Sequence, residues 1–319
     1  MYNIKTIPED FVVKEIIDLE LKDNGYYSYF LLKKKDITTL DAIRIICKKY
    51  NVNIKNIGFS GNKDKRAVTE QVISINRFNK NKDIYFDKFS LMFLGYGDRR
   101  INLGTHKENE FTITIRNLDC RMNKNIDFIY NYFDEQRFSE NNVEIGKLLL
   151  QRKFNEACKL LNISNFNELK RLNKKILRLY IHSVQAFIFN KVLAEYLNNN
   201  HKNLKIVKYK LGDLIFLNEK IKNFKLPLIS FDVKINKKFY KYFNKAMKDL
   251  QINKESFLIK SIPELIDETV FRDAIVNAKN FKVLEYSNDE FNKGKYKQII
   301  SFRLPKGSYA TILVKQYFE

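Results

Sequence analysis

The chain contains the stretch Phe59-Ser-Gly-Asn-Lys-Asp-Lys-Arg-Ala-Val-Thr-Glu-Gln71, in which the carboxylate of Asp64 lies among three cationic side chains. Residues 54–60 have the composition of a short strand, and Gly61-Asn62 supplies a backbone that can turn sharply. Residues 67–75 then alternate between apolar and polar side chains, as a second strand does. The pattern therefore predicts Asp64 in a loop between two strands, where a rigid scaffold can present a reactive group.

The residue types of this loop support two interpretations. A carboxylate among cations suits catalysis, but Asn62-Lys-Asp-Lys65 is also an ordinary polar hairpin loop, which is the more frequent use of such residues. Burial disfavours a charged carboxylate, so a catalytic Asp64 would need a cation within a few ångströms. Lys63 and Lys65 are the local candidates for that cation.

The composition indicates a folded, basic protein. The 319 residues are 45% apolar and include 26 Phe and 18 Tyr, enough for a substantial core. Lys and Arg number 58 against 37 Asp and Glu, which gives a net charge of +21. Such a charge favours a polyanionic partner through phosphate contacts, with nucleic acid as the first candidate. A biased genomic base composition is the alternative source of the abundant Lys, Asn and Ile.

The sequence gives little support for a membrane-spanning segment or a metal site. No run of about 18 apolar residues is present, and the first residues alternate instead of resembling a signal peptide. We therefore expect a cytoplasmic protein. The three cysteines and three histidines are scattered and form no pattern typical of metal ligands, which disfavours a zinc-dependent nucleobase deaminase.

The predicted secondary structure changes in type twice along the chain. Residues 10–118 are rich in strand patterns, with one predicted helix at about 39–50 that begins at Thr38 or Thr39. Residues 143–197 show the three-and-four apolar spacing of helices. Strand patterns return near the C-terminus, where we predict strands at 281–286, 299–304 and 309–314. Strands at both ends of the chain suggest one sheet interrupted by an insertion.

The stretch Phe59–Gln71 resembles the signature of the TruD family of tRNA pseudouridine synthases, whose motif is Gly-x-Lys-Asp-x-x-Ala-Val-Thr-x-Gln. Further segments resemble the family in the family's own order, so the likeness covers most of the chain. These segments are Lys5-Thr-Ile-Pro-Glu-Asp-Phe11, Asn109-Glu-Phe-Thr-Ile-Thr-Ile-Arg116, Asn131-Tyr-Phe-Asp-Glu-Gln-Arg-Phe138, Leu177 to Asn190, and Arg303-Leu-Pro-Lys-Gly-Ser-Tyr-Ala-Thr311.

The resemblance implies an α+β fold with two parts. A pseudouridine synthase catalytic core, built on a mixed and mainly antiparallel β-sheet, would comprise residues 1–128 and 281–319. A TruD-specific α/β insertion domain would comprise residues 129–280. The implied activity is isomerisation of uridine to pseudouridine, at position 13 in the D-arm of tRNA. The resemblance also implies tRNA as the partner. It implies no cofactor, no metal, no association with a membrane and no obligate protein partner.

The resemblance also assigns roles to individual residues. Asp64 would be the catalytic carboxylate, and Lys5 would be a cation that reaches it. Phe111 would stack on the target base, and Asn109, on the same face of an extended strand, would orient the base or the ribose. Without the resemblance, Phe111 would be an ordinary core residue and Lys5 a solvated charge.

Cationic residues within or near these segments are candidates for RNA contacts. They are Lys63, Lys65, Arg66, Arg116 and Arg137. Three positions depart from the family pattern, because Glu108, Asp134 and Ser230 stand where the family has Gly. Two additional acids near an RNA groove would weaken phosphate attraction locally, so the departures concern substrate affinity more than the chemistry.

Two other functions compete with a pseudouridine synthase. A non-catalytic RNA-binding protein or RNA chaperone could retain the fold and its basic surface, although binding alone does not require an acid among cations. A base-modifying methyltransferase is a weaker alternative, because no Gly-rich nucleotide loop follows a strand.

Overall fold

The computed structural model describes residues 2–78, 80–139 and 141–319. In chain order, its strands are β1 (Phe11–Ile16), β2 (Tyr27–Lys35), β3 (Ile57–Phe59), β4 (Val68–Asn76), β5 (Ile84–Tyr85), β6 (Phe89–Gly97), β7 (Glu108–Leu118), β8 (Phe128–Tyr130), β9 (Leu204–Tyr209), β10 (Gly212–Leu217), β11 (Lys225–Leu228), β12 (Val270–Asp273), β13 (Ile275–Asn277), β14 (Lys279–Asn288) and β15 (Tyr296–Pro305). Its α-helices are α1 (Thr39–Tyr50), α2 (Asn142–Leu150), α3 (Phe154–Leu160), α4 (Phe166–Arg171), α5 (Lys174–Asn200), α6 (Lys237–Asp249) and α7 (Ala310–Phe318).

The chain forms two compact units. The first contains Met1–Asp127 and Asn277–Gly307, and the second contains Phe128–Val276 and Ser308–Glu319. The predicted catalytic core included all of 281–319, whereas Ser308–Glu319 groups with the second unit. The reason is packing: Ile312 is fully buried in the second unit's core, and the ring of Tyr309 lies 6.0 Å from that of Phe133.

A nine-stranded sheet of described residues forms the framework of the first unit. Its order is β14-β15-β7-β1-β4-β2-β6-β5, with β3 paired to β4. Strand β1 is parallel to β4, and the other pairings are antiparallel. The predicted α+β class with a mixed, mainly antiparallel sheet is therefore confirmed.

Helix α1 packs its apolar face against this sheet. Thr38, one of the two predicted caps, accepts a 3.1 Å hydrogen bond from the Asp41 backbone amide at the start of the helix. Asn51 ends the helix in the left-handed conformation with φ of 53°. Ala42, Ile43 and Ile46 are fully buried in a cluster with residues of β2 and β4.

The position of β1 between β4 and β7 sets the geometry of the candidate site. Its register places Val13 opposite Phe111 and Glu15 opposite Asn109. On the other side of β7, Phe302 of β15 is also opposite Phe111. Because successive side chains of a strand alternate between faces, Val13, Glu15, Asn109 and Phe111 share one face of the sheet.

The second unit is mainly helical around α5. This helix contributes a nearly continuous set of buried side chains, and α2 and α6 pack against it. The strands form two-stranded pairs, β9 with β10, β11 with β12 and β8 with β13. No helix within the described part of the chain is long and apolar enough to span a membrane.

The prediction of a strand at 309–314 was wrong, because α7 occupies Ala310–Phe318. The buried residues Ala310, Leu313, Val314 and Tyr317 follow the three-and-four spacing of a helix. The short apolar run Ile312–Val314 fits either type of element, and only the longer spacing distinguishes them.

Candidate active site

The loop that carries Asp64 joins β3 to β4 and is tied to its surroundings along its length. The side-chain amide of Gln71 donates a 3.0 Å hydrogen bond to the carbonyl of Gly61, and the backbone amide of Lys63 donates one of 3.0 Å to Thr39 Oγ1. Thr39 in turn donates to Gln71 Oε1 at 2.8 Å, and both side chains are fully buried. The start of α1 and the strand β4 therefore hold the loop in one conformation.

Asp64 forms an ion pair with Lys5. Lys5 Nζ lies 2.6 Å from Asp64 Oδ2, and the two side chains retain 23% and 29% of their exposure. The backbone of Lys5 is in the left-handed region with φ of 59°, a conformation that costs a residue with a side chain about 1–2 kcal/mol. The Lys5 ammonium also lies 4.1 Å from the centre of the Phe11 ring. The structure thus brings together the two residues that the resemblance paired.

Lys63, although adjacent to Asp64 in sequence, pairs with a buried acid of β1. Its Nζ lies 2.9 Å from Glu15 Oε2 and donates a 2.8 Å hydrogen bond to Asn109 Oδ1. Ser60 donates to the other Glu15 oxygen. The side chains of Lys63 and Glu15 are 8% and 0% exposed, so the structure argues against Lys63 as an RNA contact.

Asn109 has its second partner in His106. Its Nδ2 lies 3.3 Å from His106 Nε2. Burial, and next the charge of Lys63, lower the pKa of His106, so the ring is neutral near pH 7 and can accept this hydrogen bond. The amide of Asn109 is therefore oriented from both sides.

Phe111 lies among aromatic rings close to these residues. Its ring stacks on Phe302 at 5.4 Å and 26°, and meets the edge of Phe11 at 6.1 Å and 66°. Phe11 is the ring that lies under Lys5. Phe111 is 7% exposed, so most of its surface is covered in this conformation.

The remaining cationic candidates are in different environments. Lys65 and Arg66 are exposed on the loop, and Arg66 donates a 2.6 Å hydrogen bond to the carbonyl of Thr6. Arg137 lies in the second unit, with its guanidinium 5.5 Å from the centre of the Phe133 ring. The structure thus leaves Lys65 and Arg66 at the surface of the loop.

Arg116, also a predicted RNA contact, is buried in an ion cluster. It is 3% exposed, its Nε donates to both oxygens of Asp10 at 3.0 Å, and its Nη1 lies 3.1 Å from both Asp289 and Glu290. The side chains of Asp10 and Asp289 are 1% and 0% exposed. This arrangement pairs the guanidinium within the protein and leaves it covered, which argues against a contact with RNA phosphate.

The acids that depart from the family pattern have lysine partners. Glu108 pairs with Lys279, and Asp134 lies 2.9 Å from Lys315 Nζ. Ser230 donates to the carbonyl of Asp267. The two acids are therefore neutralised locally, which reduces the loss of phosphate attraction that we expected from them.

Sequence reasoning missed three polar residues of this region, Glu15, Lys34 and Gln71. Glu15 follows Phe11 and Val13 on one face of β1, and Lys34 follows Phe30 and Leu32 on one face of β2. A charged residue at an apolar position of an alternating strand is the signal that could have identified the first two. In the described residues, no group of His, Cys, Asp and Glu is arranged to hold a metal ion.

Comparison with known proteins agrees with the motifs. A family model described as tRNA pseudouridine synthase D (TruD) matches residues 2–171 and 220–317. tRNA pseudouridine synthase D of Aquifex aeolicus (strain VF5) is 31% identical, over 99% of this chain and 97% of that protein. A protein of Nanoarchaeum equitans (strain Kin4-M) named "Probable tRNA pseudouridine synthase D" is 29% identical, over 99% of this chain and 98% of that protein.

A solved structure shares the fold. The crystal structure of a TruD protein from Methanosarcina mazei superposes with a TM-score of 0.70 at 22% identity, and the match covers 98% of this chain and 92% of that one. The family model spans most of the chain, and the relatives match along nearly their whole length. On this evidence, the chain belongs to the tRNA pseudouridine synthase D (TruD) family.

Proposed function

We propose that this protein is a tRNA pseudouridine synthase that isomerises uridine, at position 13 of the D-arm, with Asp64 as its catalytic carboxylate. The observation that carries the proposal is the 2.6 Å ion pair between Lys5 and Asp64. Asp64 lies on a loop that Thr39 and Gln71 hold in place. Family membership supports the reaction, and the choice of position 13 rests on the resemblance of the motifs.

The reaction exchanges one bond to the ribose for another. The bond from N1 to C1′ breaks, the uracil turns, a bond from C5 to C1′ forms, C5 loses its proton and N1 gains one. No redox change occurs and no group is lost, so the chemistry requires no cofactor. Asp64 either attacks C1′ or assists removal of the C2′ proton, and each role requires the anion. Lys5 favours that anion through its charge.

The target uridine has to leave its stack before it can react. Flipping a base costs a few kcal/mol, and stacking on an aromatic side chain returns about 1–3 kcal/mol. Phe111 would supply this platform, and Asn109, oriented by Lys63 and His106, would hold the ring or the ribose. Because Phe111 is 7% exposed, the stacking role requires the ring to be uncovered when RNA binds.

Recognition of tRNA would rely on the positive charge of the protein. The net charge of +21 favours phosphate contacts and the release of counterions. Lys65 and Arg66 are the candidates for such contacts that lie exposed beside Asp64.

The test is to map pseudouridine in tRNA transcripts incubated with wild-type protein and with Asp64→Asn. We expect the substitution to lower the single-turnover rate at least about 10⁴-fold, which corresponds to about 5.4 kcal/mol of activation free energy. The tRNA dissociation constant should change little, because one acid among cations contributes no phosphate attraction.

Asp87→Asn is the matched control, since Asp87 is an exposed acid of the same unit. It should retain the wild-type rate. Product formation by the Asp64→Asn protein at the wild-type rate would refute the role of Asp64. Tight tRNA binding by a wild-type protein that forms no product would favour the RNA-binding alternative.

A further inference from the structure

Lys34 is a buried cation close to the candidate active site that the proposed chemistry does not yet use. It lies on β2 after Phe30 and Leu32, on the face that packs into the core, and is 2% exposed. Lysine is almost never buried to this degree without partners, because removing an ammonium from water carries a large free-energy penalty. The contacts of Lys34 therefore indicate the role of its buried charge.

The ammonium of Lys34 joins the catalytic loop to the start of α1. Nζ donates a 2.7 Å hydrogen bond to the main-chain carbonyl of Asp64 and one of 2.8 Å to that of Ile37. Ile37 immediately precedes Thr38, the cap of α1. Both of these acceptors are neutral carbonyls, so neither offsets the positive charge as a carboxylate would.

The charged groups that act on Lys34 belong to the same loop. The carboxylate of Asp64 favours the charged ammonium, and the neighbouring Lys63 disfavours it. The residues opposite Lys34 in the adjacent strands are Thr69 on β4 and Phe89 on β6, and neither carries a charge. The negative group that stabilises this buried cation is therefore Asp64.

We propose that Lys34 is a positioning residue for catalysis, which fixes the main chain at Asp64 and adds a second positive charge, beside Lys5, that holds the anionic carboxylate in its reactive position. The inference rests on the proposed function, because it assigns to Lys34 a part in the same reaction. Lys5 acts on the side chain of Asp64, and Lys34 acts on its backbone from the buried side.

The position of Lys34 gives the reaction a distinctive pH dependence. Burial lowers the pKa of Lys34 to about 8, against the opposing effect of Asp64. The group is charged near pH 7 and loses its charge as the pH rises above about 8. A neutral amine still has N–H groups to donate to both carbonyls, so this titration removes the charge and leaves the hydrogen bonds possible.

Lys34→Met tests the proposal, with Lys33→Met as the matched control. Lys33 is the preceding residue of the same strand, but its side chain is 45% exposed and pairs with Glu70 at 3.0 Å. Single-turnover rates on a tRNA transcript and tRNA dissociation constants are measured between about pH 7 and 9. Circular dichroism and thermal unfolding show whether each variant folds.

We expect Lys34→Met to lower the single-turnover rate about 10- to 100-fold at pH 7 and to leave the tRNA dissociation constant unchanged. The wild-type rate should fall above about pH 8, and the variant should lack this alkaline decrease. Lys34→Arg, whose charge does not titrate in this range, should recover part of the rate and also lack the decrease. Lys33→Met should retain the wild-type rate and pH profile.

A Lys34→Met protein with the wild-type rate, or with the wild-type alkaline decrease, overturns the proposal. If Lys34→Met does not fold, Lys34→Arg decides, because retention of the alkaline decrease in that variant equally overturns it. A wild-type rate that is constant up to about pH 9 also contradicts the proposal. A wild-type protein that forms no pseudouridine instead refutes the proposed function, so the two failures are distinguishable.

Discussion

The first unit contains two groups of ion-paired side chains, which are similar in composition and differ in how far they are exposed to solvent. At one, Lys5 contacts Asp64, and both side chains keep about a quarter of their exposure. At the other, Arg116 lies between Asp10 and Asp289, and the three side chains are nearly or fully buried. The comparison separates an ion pair that a substrate could reach from one that the protein encloses.

The arrangement around Arg116 uses the hydrogen-bonding capacity of its acids within the protein. Asp10 accepts from the amide of Ile7 at 3.1 Å in addition to Arg116. Asp289 accepts from the amide of Asn117 at 2.8 Å and from the side chain of Asn292 at 2.7 Å. A carboxylate that is enclosed in this way is poorly placed to meet a substrate, whereas the partly exposed Asp64 can.

The largest effect that we expect from this comparison concerns Arg116. Arg116→Met should lower the free energy of unfolding of the first unit by about 3–5 kcal/mol, because it leaves buried carboxylates without their cation. Urea denaturation followed by circular dichroism measures this loss. Arg121→Met, at an exposed arginine of the same unit, is the control and should change stability by less than about 0.5 kcal/mol.

The opposite result would restore the original interpretation of Arg116. If Arg116→Met were as stable as the wild type and bound tRNA with a smaller dependence on salt, Arg116 would be a phosphate contact. The comparison between the two ion groups would then fail.

The second prediction concerns the exposed pair. Lys5→Met should lower the single-turnover rate about 100-fold, or about 2.7 kcal/mol, because Asp64 loses the cation at its side chain. Stability should change by less than about 1 kcal/mol, since partly exposed ion pairs contribute little to folding. Single-turnover kinetics and urea denaturation measure the two effects separately.

Lys14→Met provides the control for Lys5→Met, because Lys14 is an exposed lysine of β1. Its rate should equal that of the wild type. A Lys5→Met protein that unfolds readily and yet keeps its rate when folded would show that the pair with Asp64 is structural.

The smallest effect distinguishes two stacked rings. Phe111→Leu and Phe302→Leu remove the same ring-to-ring contact, so each should destabilise the first unit by a similar amount, about 1.5 kcal/mol. Only Phe111→Leu should also lower the single-turnover rate, about tenfold, through the loss of about 1.4 kcal/mol of base stacking. Equal rates for the two variants would mean that Phe111 is a core residue alone.

The sequence was sufficient for features that depend on local patterns. Alternation identified the strand that follows Asp64, and the cap of α1 was one of the two predicted threonines. The strand predicted at 54–60 is shorter, because Ile54–Asn56 form a 3-10 turn and only Ile57–Phe59 are extended. The family motif then identified Lys5 as the partner of Asp64, although 59 positions separate them in the chain. A shared motif can reveal such a contact, and local spacing cannot.

The features that the sequence did not reveal depend on tertiary pairing. Arg116 has the residue type of a phosphate contact, and only the proximity of Asp289 shows that it is enclosed. Lys63 lies next to Asp64 in sequence but pairs with Glu15, because β1 and the loop meet in space. By contrast, α7 was mistaken for a strand for a local reason, because the short apolar run Ile312–Val314 fits a helix or a strand.

The order of strands in the sheet has a consequence for the synthesis of this protein. β1 is made first and lies in the interior of the sheet, whereas β15, which covers Phe111 with Phe302, is made only after most of the second unit. Asp289, which completes the ion cluster of Arg116, also belongs to this late segment. A nascent chain therefore holds Asp64 and Lys5 long before their scaffold is complete. We expect the first unit to mature late, with folding limited by these distant pairings.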